Sequence, residues 1–257
     1  MSYTVEVCCY TLEDAHQAKK AGATRIELCA DRTAGGTTPS YGLIEHILAN
    51  IPIDVAVMIR PRGGDFVYCD EELAVMQRDI AMAGRLGVEG VVFGVLDEKG
   101  FLDVPKMQAL VDTAKQDNLK VTCHRAFDKA LDPYRTLGEL IDLGVHRLLT
   151  SGQKPTAVEG LPLLQELLKI ADEQLTIISG GGVRGSNIET ILAAGIRHVH
   201  TGSNKAIQSK MITNQPKLSV GGPTCAEDIQ MIIDGKDVAN IVKAVKRNAK
   251  QSSLPPL

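Results

Sequence analysis

Tryptophan is absent from the 257 residues, and aromatic side chains together make up only 4% of them. So few aromatic side chains leave no stacking platform of the kind that binds single-stranded nucleic acid. The formal net charge of −3 also argues against nucleic acid or an anionic membrane as the main partner. No apolar run approaches the roughly 20 residues that span a bilayer. We therefore expect neither nucleic acid nor membrane as a partner.

Secretory features are missing as well. The first seven residues contain neither a basic n-region nor an apolar h-region, so we expect no signal peptide. Six cysteines without such a signal favour a reducing cytoplasm, where cysteines are packing residues, metal ligands or reactive thiols more often than disulfides. The sequence also lacks a Gly-x-Ser-x-Gly elbow and a Walker loop. A cytoplasmic location is expected, and no single motif assigns a chemistry.

What the chain does contain is a regular alternation of short β-rich runs and helical patterns. Strands are predicted at 5–9, 25–29, 53–60, 90–95, 119–124, 146–150, 175–179 and 197–201, and helices at 12–21, 41–49, 70–86, 104–116, 133–143, 161–172, 186–194 and 235–248. This alternation predicts an α/β fold with a parallel sheet. Eight units and a length close to 250 residues favour a closed TIM (β/α)₈ barrel with outer helices. An open doubly wound sheet is the alternative.

We expect residues 1–257 to form a single domain, because no linker or low-complexity segment divides the chain. The stretch from about 203 to 234 is too long for a plain connection. It is therefore predicted to be a long irregular segment before the last helix. This segment could cover the barrel mouth, form an oligomer contact, or be a partly ordered surface loop.

The strand pattern predicts an unusually polar barrel interior. Side chains alternate between the helix-facing and inner sides of a strand, and a structural barrel fills its inside with Val, Ile and Leu. Here the inward positions carry polar or ionisable groups: Glu6, Cys8, Glu27, Cys29, Arg60, His124 and His200. Buried charge is costly unless it is paired, so we expect Glu27 to pair with Arg60. The set is either a structural ion-pair network or an active site at the strand ends.

Two of these inward residues, Cys8 and Cys29, are predicted to converge at the ends of neighbouring strands. Paired thiolates suit a soft ion such as Cu(I), whereas zinc would need further ligands, which His200 or His124 could supply. The alternative is that both are buried small side chains without a ligand role.

A second candidate site is an anion site in the loops after the seventh and eighth strands. Glycine-rich backbone at a helix N-terminus presents free N–H groups to an anion, and these loops are the usual phosphate site of the fold. The residues concerned are Gly181, Gly182, Gly202 and Ser203, and the alternative is a set of tight turns without an anion.

A third candidate is acid–base chemistry by His124 and Glu27. Histidine titrates near neutral pH, and a carboxyl group could act as its counterpart. Arg60 and Arg125 could hold a carboxylate or phosphate through two hydrogen bonds. Arg62 is a further candidate for binding the anion, and three more polar residues are expected in the same pocket: Asp65, Asp128 and Ser151.

At these residues the chain resembles the CutC copper-homeostasis family. The motifs that carry the resemblance are Glu6-Val-Cys8, Arg25-Ile-Glu-Leu-Cys29, Gly35-Gly-Thr-Thr-Pro-Ser40, Met58-Ile-Arg-Pro-Arg-Gly-Gly-Asp65, His124-Arg-Ala-Phe-Asp128 and Leu149-Thr-Ser-Gly152. The resemblance implies a TIM-like barrel, a homodimer or higher homo-oligomer, and copper handling. It also implies that Cys8 and Cys29 are the copper ligands and that Glu27, Arg60 and His124 belong to a polar pocket. The expected function is Cu(I) binding; the alternative is an enzyme acting on a small phosphorylated or carboxylated metabolite.

Overall fold

A computed structural model describes residues 3–210 and 228–251. Eight parallel strands close into a barrel in sequence order, which confirms the predicted TIM (β/α)₈ architecture. The barrel strands are β1 Thr4–Cys9, β2 Arg25–Leu28, β3 Asp54–Met58, β4 Gly90–Phe93, β5 Lys120–Cys123, β6 Arg147–Thr150, β7 Thr176–Ser179 and β8 His198–Thr201. The helices are α1 Leu12–Ala21, α2 Tyr41–Asn50, α3 Asp70–Leu86, α4 Val104–Gln116, α5 Pro133–Asp142, α6 Leu161–Ala171, α7 Ile188–Ala193 and α8 Gly235–Gln251, with a 3₁₀ turn at Arg125–Lys129.

Local sequence signals set the ends of the first helices. The hydroxyl of Thr11 accepts a hydrogen bond from the Asp14 amide at the start of α1, and Ser40 caps α2 in the same way. Such caps satisfy amides that have no partner within the helix. Gly22 ends α1 and Gly87 ends α3 in the left-handed conformation, which glycine adopts without a steric penalty. The helices therefore begin and end where the chain must turn back to the next strand.

The main apolar core lies between the strands and the helices. Val5, Val7, Ile26 and Leu28 are fully buried on the helix-facing side of β1 and β2. A separate small cluster lies on the inner side of the barrel and consists of Cys8, Cys29, Ala56, Met58 and Val92. The outer core stabilises the barrel, whereas the inner side carries thiol and charged side chains. None of the helices in the described ranges has both the length and the apolar character needed to cross a membrane.

Strand register decides which inward charges meet. Glu6 is level with Arg25, whereas Glu27 is level with Ala56 on β3. Arg60 follows Ala56 by four residues, roughly 13 Å farther along an extended chain. The predicted Glu27–Arg60 ion pair is therefore wrong, and no such contact exists among the described residues.

The charge inside the barrel is instead balanced by an interior network formed by Glu6, Arg25, Glu89 and Arg147. Arg25 Nε donates to Glu6 Oε2 at 2.6 Å, and Arg25 Nη1 lies 3.7 Å from Glu89 Oε2. Arg147 donates to both oxygens of Glu89. Glu6 is only 1% exposed, so this pairing offsets the cost of burying charge in the barrel.

The segment after β8 is not wholly irregular, which corrects the expectation for residues 203–234. Its two ends form an antiparallel ribbon of β9 Asn204–Gln208 and β10 Ile229–Ile233. The ribbon is attached to the barrel because the Ile233 amide donates to Asp14 Oδ1 at 2.9 Å. Ordered backbone pairing therefore extends beyond the eighth strand. The middle of the segment, 211–227, lies outside the described residues.

Candidate functional site

A cavity of about 280 Å³ lies at the C-terminal ends of the barrel strands. Most of the residues predicted for a site line this cavity: Cys8, Glu27, Arg60, His124, Arg125, Gly181, Gly182, His200 and Gly202. They come from the ends of β1, β2, β3, β5, β7 and β8 or from the loops that follow. Parallel strands bring their carboxyl ends to one face of the barrel, where the sites of this fold lie.

Three further candidates lie directly behind this lining. Cys29 is fully buried and contacts Cys8. Glu6 lies beneath His200 and accepts a hydrogen bond from it. Asp128 accepts hydrogen bonds from Arg125 Nε at 2.7 Å and from the hydroxyl and amide of Ser151. These contacts let Cys29, Glu6 and Asp128 orient side chains that face the cavity.

Arg62, Asp65 and Ser203 do not line the cavity. Arg62 pairs with Asp65 at 3.0 Å and with Glu72 at 2.6 Å, on the exposed side of the loop after β3. Ser203 Oγ donates to Asp237 Oδ2 at 2.6 Å and joins the loop after β8 to α8. Acidic side chains already accept the hydrogen bonds that Arg62 and Ser203 could otherwise donate to an anion. In this structure the three residues therefore stabilise the loops.

The two predicted metal ligands form a buried thiol pair. Cys8 Sγ and Cys29 Sγ are 3.8 Å apart, and Cys29 Sγ lies 3.6 Å from Glu27 Oε2. The hydrogen bond from Cys29 lowers the pKa of Cys8 well below its ordinary value, with help from His200 and against the effect of burial. The same hydrogen bond, together with burial, raises the pKa of Cys29 well above its ordinary value. The pair therefore favours one thiolate and one thiol.

His200 connects this thiol pair to the interior network. Its Nδ1 lies 2.8 Å from Glu6 Oε1, and its Nε2 lies 3.8 Å from Glu27 Oε2. Burial alone lowers the pKa of His200, but Glu27, Cys8 and Glu6 outweigh it and raise the pKa well above its ordinary value. Burial raises the pKa of Glu27 to about 8, against the attraction of His200. Glu6 thus turns Nε2 of the imidazole towards the cavity.

Arg60 organises the opposite wall of the cavity. Its Nη1 donates to the carbonyls of Ala34 at 2.6 Å and Gly36 at 3.1 Å, and its Nη2 donates to that of Gly64 at 2.7 Å. One guanidinium therefore holds together the loops that follow β2 and β3. Its Nε, although buried, has no partner among the described residues.

His124 lies beside this wall, and its ring centroid is 5.0 Å from that of Phe66. The Ala126 amide donates to His124 Nδ1 at 3.2 Å, whereas the buried Nε2 has no partner among the described residues. Burial lowers the pKa of His124 to about 3, and the charge of Arg60 contributes. Within the described ranges, Glu27 Oε1 is a third buried polar atom in the lining without a partner. Buried polar atoms are rarely left unpaired, so a ligand or an ordered water would satisfy these three.

Sequence reasoning did not single out three residues that line the cavity: Tyr10, Arg32 and Asn204. A usable signal existed, because each stands at the end of a strand or in the loop or ribbon after it, the part of a barrel where ligands bind. Arg32 was harder to find, since it points to the cavity only because Asp14 and the ring of Tyr10 hold its guanidinium.

Three side chains are placed to share a metal ion: ligand atoms of Cys8, Glu27 and His200 all lie within 4.8 Å of one another. Metal–thiolate bonds of about 2.3 Å would place two sulfurs about 4.6 Å apart in a straight S–metal–S arrangement. The observed 3.8 Å is shorter than this limit, so one ion could contact both sulfurs. The donor set of thiols, imidazole and carboxylate therefore fits a soft or borderline cation.

Comparison with known proteins gives consistent matches over most of the chain. A family model described as the CutC family matches residues 3–205. A CutC family protein of Parabacteroides distasonis is 44% identical over 234 residues, covering 90% of this chain and 96% of the relative. Another, of Photorhabdus laumondii, is 45% identical over 207 residues, covering 80% and 82%. The solved structure of the copper homeostasis protein CutC from Streptococcus agalactiae is 34% identical with a TM-score of 0.73, covering 77% of this chain and 98% of that one.

Proposed function

Because the chain belongs to the CutC family, we propose that it is a cytoplasmic copper-homeostasis protein that binds Cu(I) through Cys8 and Cys29. The observation that carries the proposal is the buried thiol pair, with 3.8 Å between its sulfurs. Thiolate is the ligand that Cu(I) prefers, and only the deprotonated sulfur binds a metal well. The lowered pKa of Cys8 favours that form.

The residues around the two thiols also suit a soft cation as the bound ion. Met58 packs with both cysteines in the inner cluster and adds a polarisable thioether to the site wall. His200 and Glu27 lie close enough to Cys8 to act as a third ligand. A Cu(I) ion would displace the proton that the two sulfurs share, because a metal ion and a proton compete for the same thiolate.

Competition for Cu(I) against a colorimetric chelator tests the proposal. Wild type is expected to bind one Cu(I) per chain, and Cys8→Ser/Cys29→Ser to lose more than about 100-fold in affinity, since even outer-shell partners of a metal contribute 10–100-fold. Cys69→Ser is the matched control, because Cys69 is exposed at the start of α3. Equal competition by wild type and the double serine variant would exclude the thiol site.

We also propose, from the family resemblance, that the protein forms a homodimer or a higher homo-oligomer. Light scattering on the purified protein measures this directly. A monomer at micromolar concentration would contradict the proposal.

An enzyme that acts on a small phosphorylated or carboxylated metabolite in the same cavity is the second candidate function. The observation that favours it is the presence of four arginines in the lining: Arg32, Arg60, Arg125 and Arg184. Positively charged side chains repel a metal cation, whereas they attract an anionic substrate. Glu27 and His124 would be the residues for proton transfer in that case.

A further inference from the structure

The cavity carries positive charge that its own carboxylates do not balance. Arg32 pairs with Asp14, and Arg125 pairs with Asp128. Arg60 and Arg184, in contrast, donate to backbone carbonyls. Arg60 is only 5% exposed, so its charge is poorly hydrated, and no carboxylate in the described ranges forms an ion pair with it. A buried uncompensated charge is costly, and an anionic ligand would offset that cost.

His124 adds a neutral donor to the same part of the cavity. Because its Nδ1 accepts a hydrogen bond from the Ala126 amide, that nitrogen carries a lone pair, and in the neutral ring the proton is on Nε2. Nε2 is therefore an N–H group, and it is buried without a partner among the described residues. The low pKa of His124 agrees with a ring that stays neutral. A neutral imidazole held in this way stabilises negative charge on a ligand oxygen.

Arg60 and His124 both line the cavity. Both lie against Phe66: the Arg60 guanidinium carbon is 5.0 Å from its ring centroid, and so is the His124 ring centroid. Arg60 uses Nη1 and Nη2 on the loops, and its buried Nε has no hydrogen-bond partner within the described ranges. Two buried N–H groups, one of them from a cation, thus remain for a ligand next to one apolar ring.

We propose that Arg60 Nε and His124 Nε2 together bind one oxyanion, the carboxylate or phosphate group of a small metabolite. The inference deepens the second candidate function, because it identifies the atoms that hold the metabolite, and it requires no copper. The volume of about 280 Å³ lies near the lower limit of roughly 300 Å³ for small-molecule sites, which suits a small ligand. Arg125 and Arg184 line the same cavity and attract negative charge to it.

Isothermal titration of the metal-free, reduced protein with inorganic phosphate and with oxalate tests this proposal. Wild type is expected to bind at least one of the two probes, and the tighter one identifies the preferred group. His124→Ala should weaken that binding by about 10- to 100-fold, as expected for a lost hydrogen bond to a charged group. His124→Gln, whose amide retains an N–H donor, should fall between the two. The control is His46→Gln, an exposed histidine on α2, which should bind like wild type.

A second measurement needs no substitution at the site. In ¹⁵N-labelled wild type, the Nε2–H proton of His124 should shift downfield when the tighter-binding probe is added. Binding of a probe by His124→Ala as tight as by wild type, with no shift of this proton, would overturn the inference while leaving the second candidate function intact. Absence of binding of both probes to wild type would overturn the inference and that candidate together.

Discussion

Removing the charge of Glu6 should lower the free energy of unfolding at neutral pH. The size of the loss is set by how far the pKa of Glu6 lies below its ordinary value. Glu6 accepts hydrogen bonds from Arg25 Nε at 2.6 Å and from His200 Nδ1 at 2.8 Å and is 1% exposed. Although burial alone raises the pKa of Glu6, Arg25 and His200 lower it from 4.5 to about 2. A difference of that size between the folded and unfolded states corresponds to about 3 kcal/mol of stability at pH 7.

The sign of the pH dependence follows from the direction of that shift. A carboxyl group whose pKa is lower in the folded state stabilises the fold above its unfolded pKa, and the contribution is lost as pH falls. The stabilisation by Glu6 is therefore complete above about pH 4.5 and disappears towards pH 2. Glu6→Gln keeps the shape of the side chain and removes only this contribution, so wild type and variant should converge in acid.

Calorimetric melting of wild type and Glu6→Gln at several pH values measures this effect. A loss of about 3 kcal/mol lowers the melting temperature of a chain this long by roughly 6–12 °C at pH 7. Glu45→Gln, which changes an exposed carboxylate on α2, is the control and should shift it by less than about 2 °C. A Glu6→Gln difference that is as small as the control, or that stays constant from pH 7 to pH 3, would refute this account of the interior network.

Two further substitutions test contacts that shape the barrel. Asp128→Asn should lower the free energy of unfolding by about 1.5–3 kcal/mol, because Asp128 accepts from Arg125, Thr150 and Ser151; thermal melting measures this. Gly90→Ala should cost about 1–3 kcal/mol in urea unfolding, because its Cβ would lie 2.4 Å from the Lys120 carbonyl oxygen. Gly42→Ala, in open space on α2, should instead stabilise slightly; equal effects of both alanines would contradict the packing argument.

The periodicity of the sequence was sufficient to predict the barrel and the residues that point into it from β1 and β2. Val5, Val7, Ile26 and Leu28 alternate with those inward residues, and all four are buried in the outer core. The same alternation placed Cys8 and Cys29 on the inner side, where they meet. Side-chain direction along a strand depends only on a period of two, so local sequence is enough to predict it.

Position along the barrel axis was not predictable in the same way. The register between β2 and β3 sets Glu27 level with Ala56, and this offset depends on the shear of the closed barrel. For this reason the prediction of a Glu27–Arg60 ion pair was wrong. The ribbon of β9 and β10 was missed because its strands are separated by 20 residues in the chain, so no tight-turn signal connects them.

The hydrogen bonds by which Arg60 joins two loops have a consequence for the kinetics of ligand binding. Since one buried guanidinium fixes the carbonyls of Ala34, Gly36 and Gly64, this wall has its final form before a ligand arrives. The loops after β2 and β3 need no closure before or after the encounter, so capture at this wall resembles rigid docking, for which backbone shifts are below about 1 Å. Differences in affinity among ligands should then arise mainly from how slowly each one leaves.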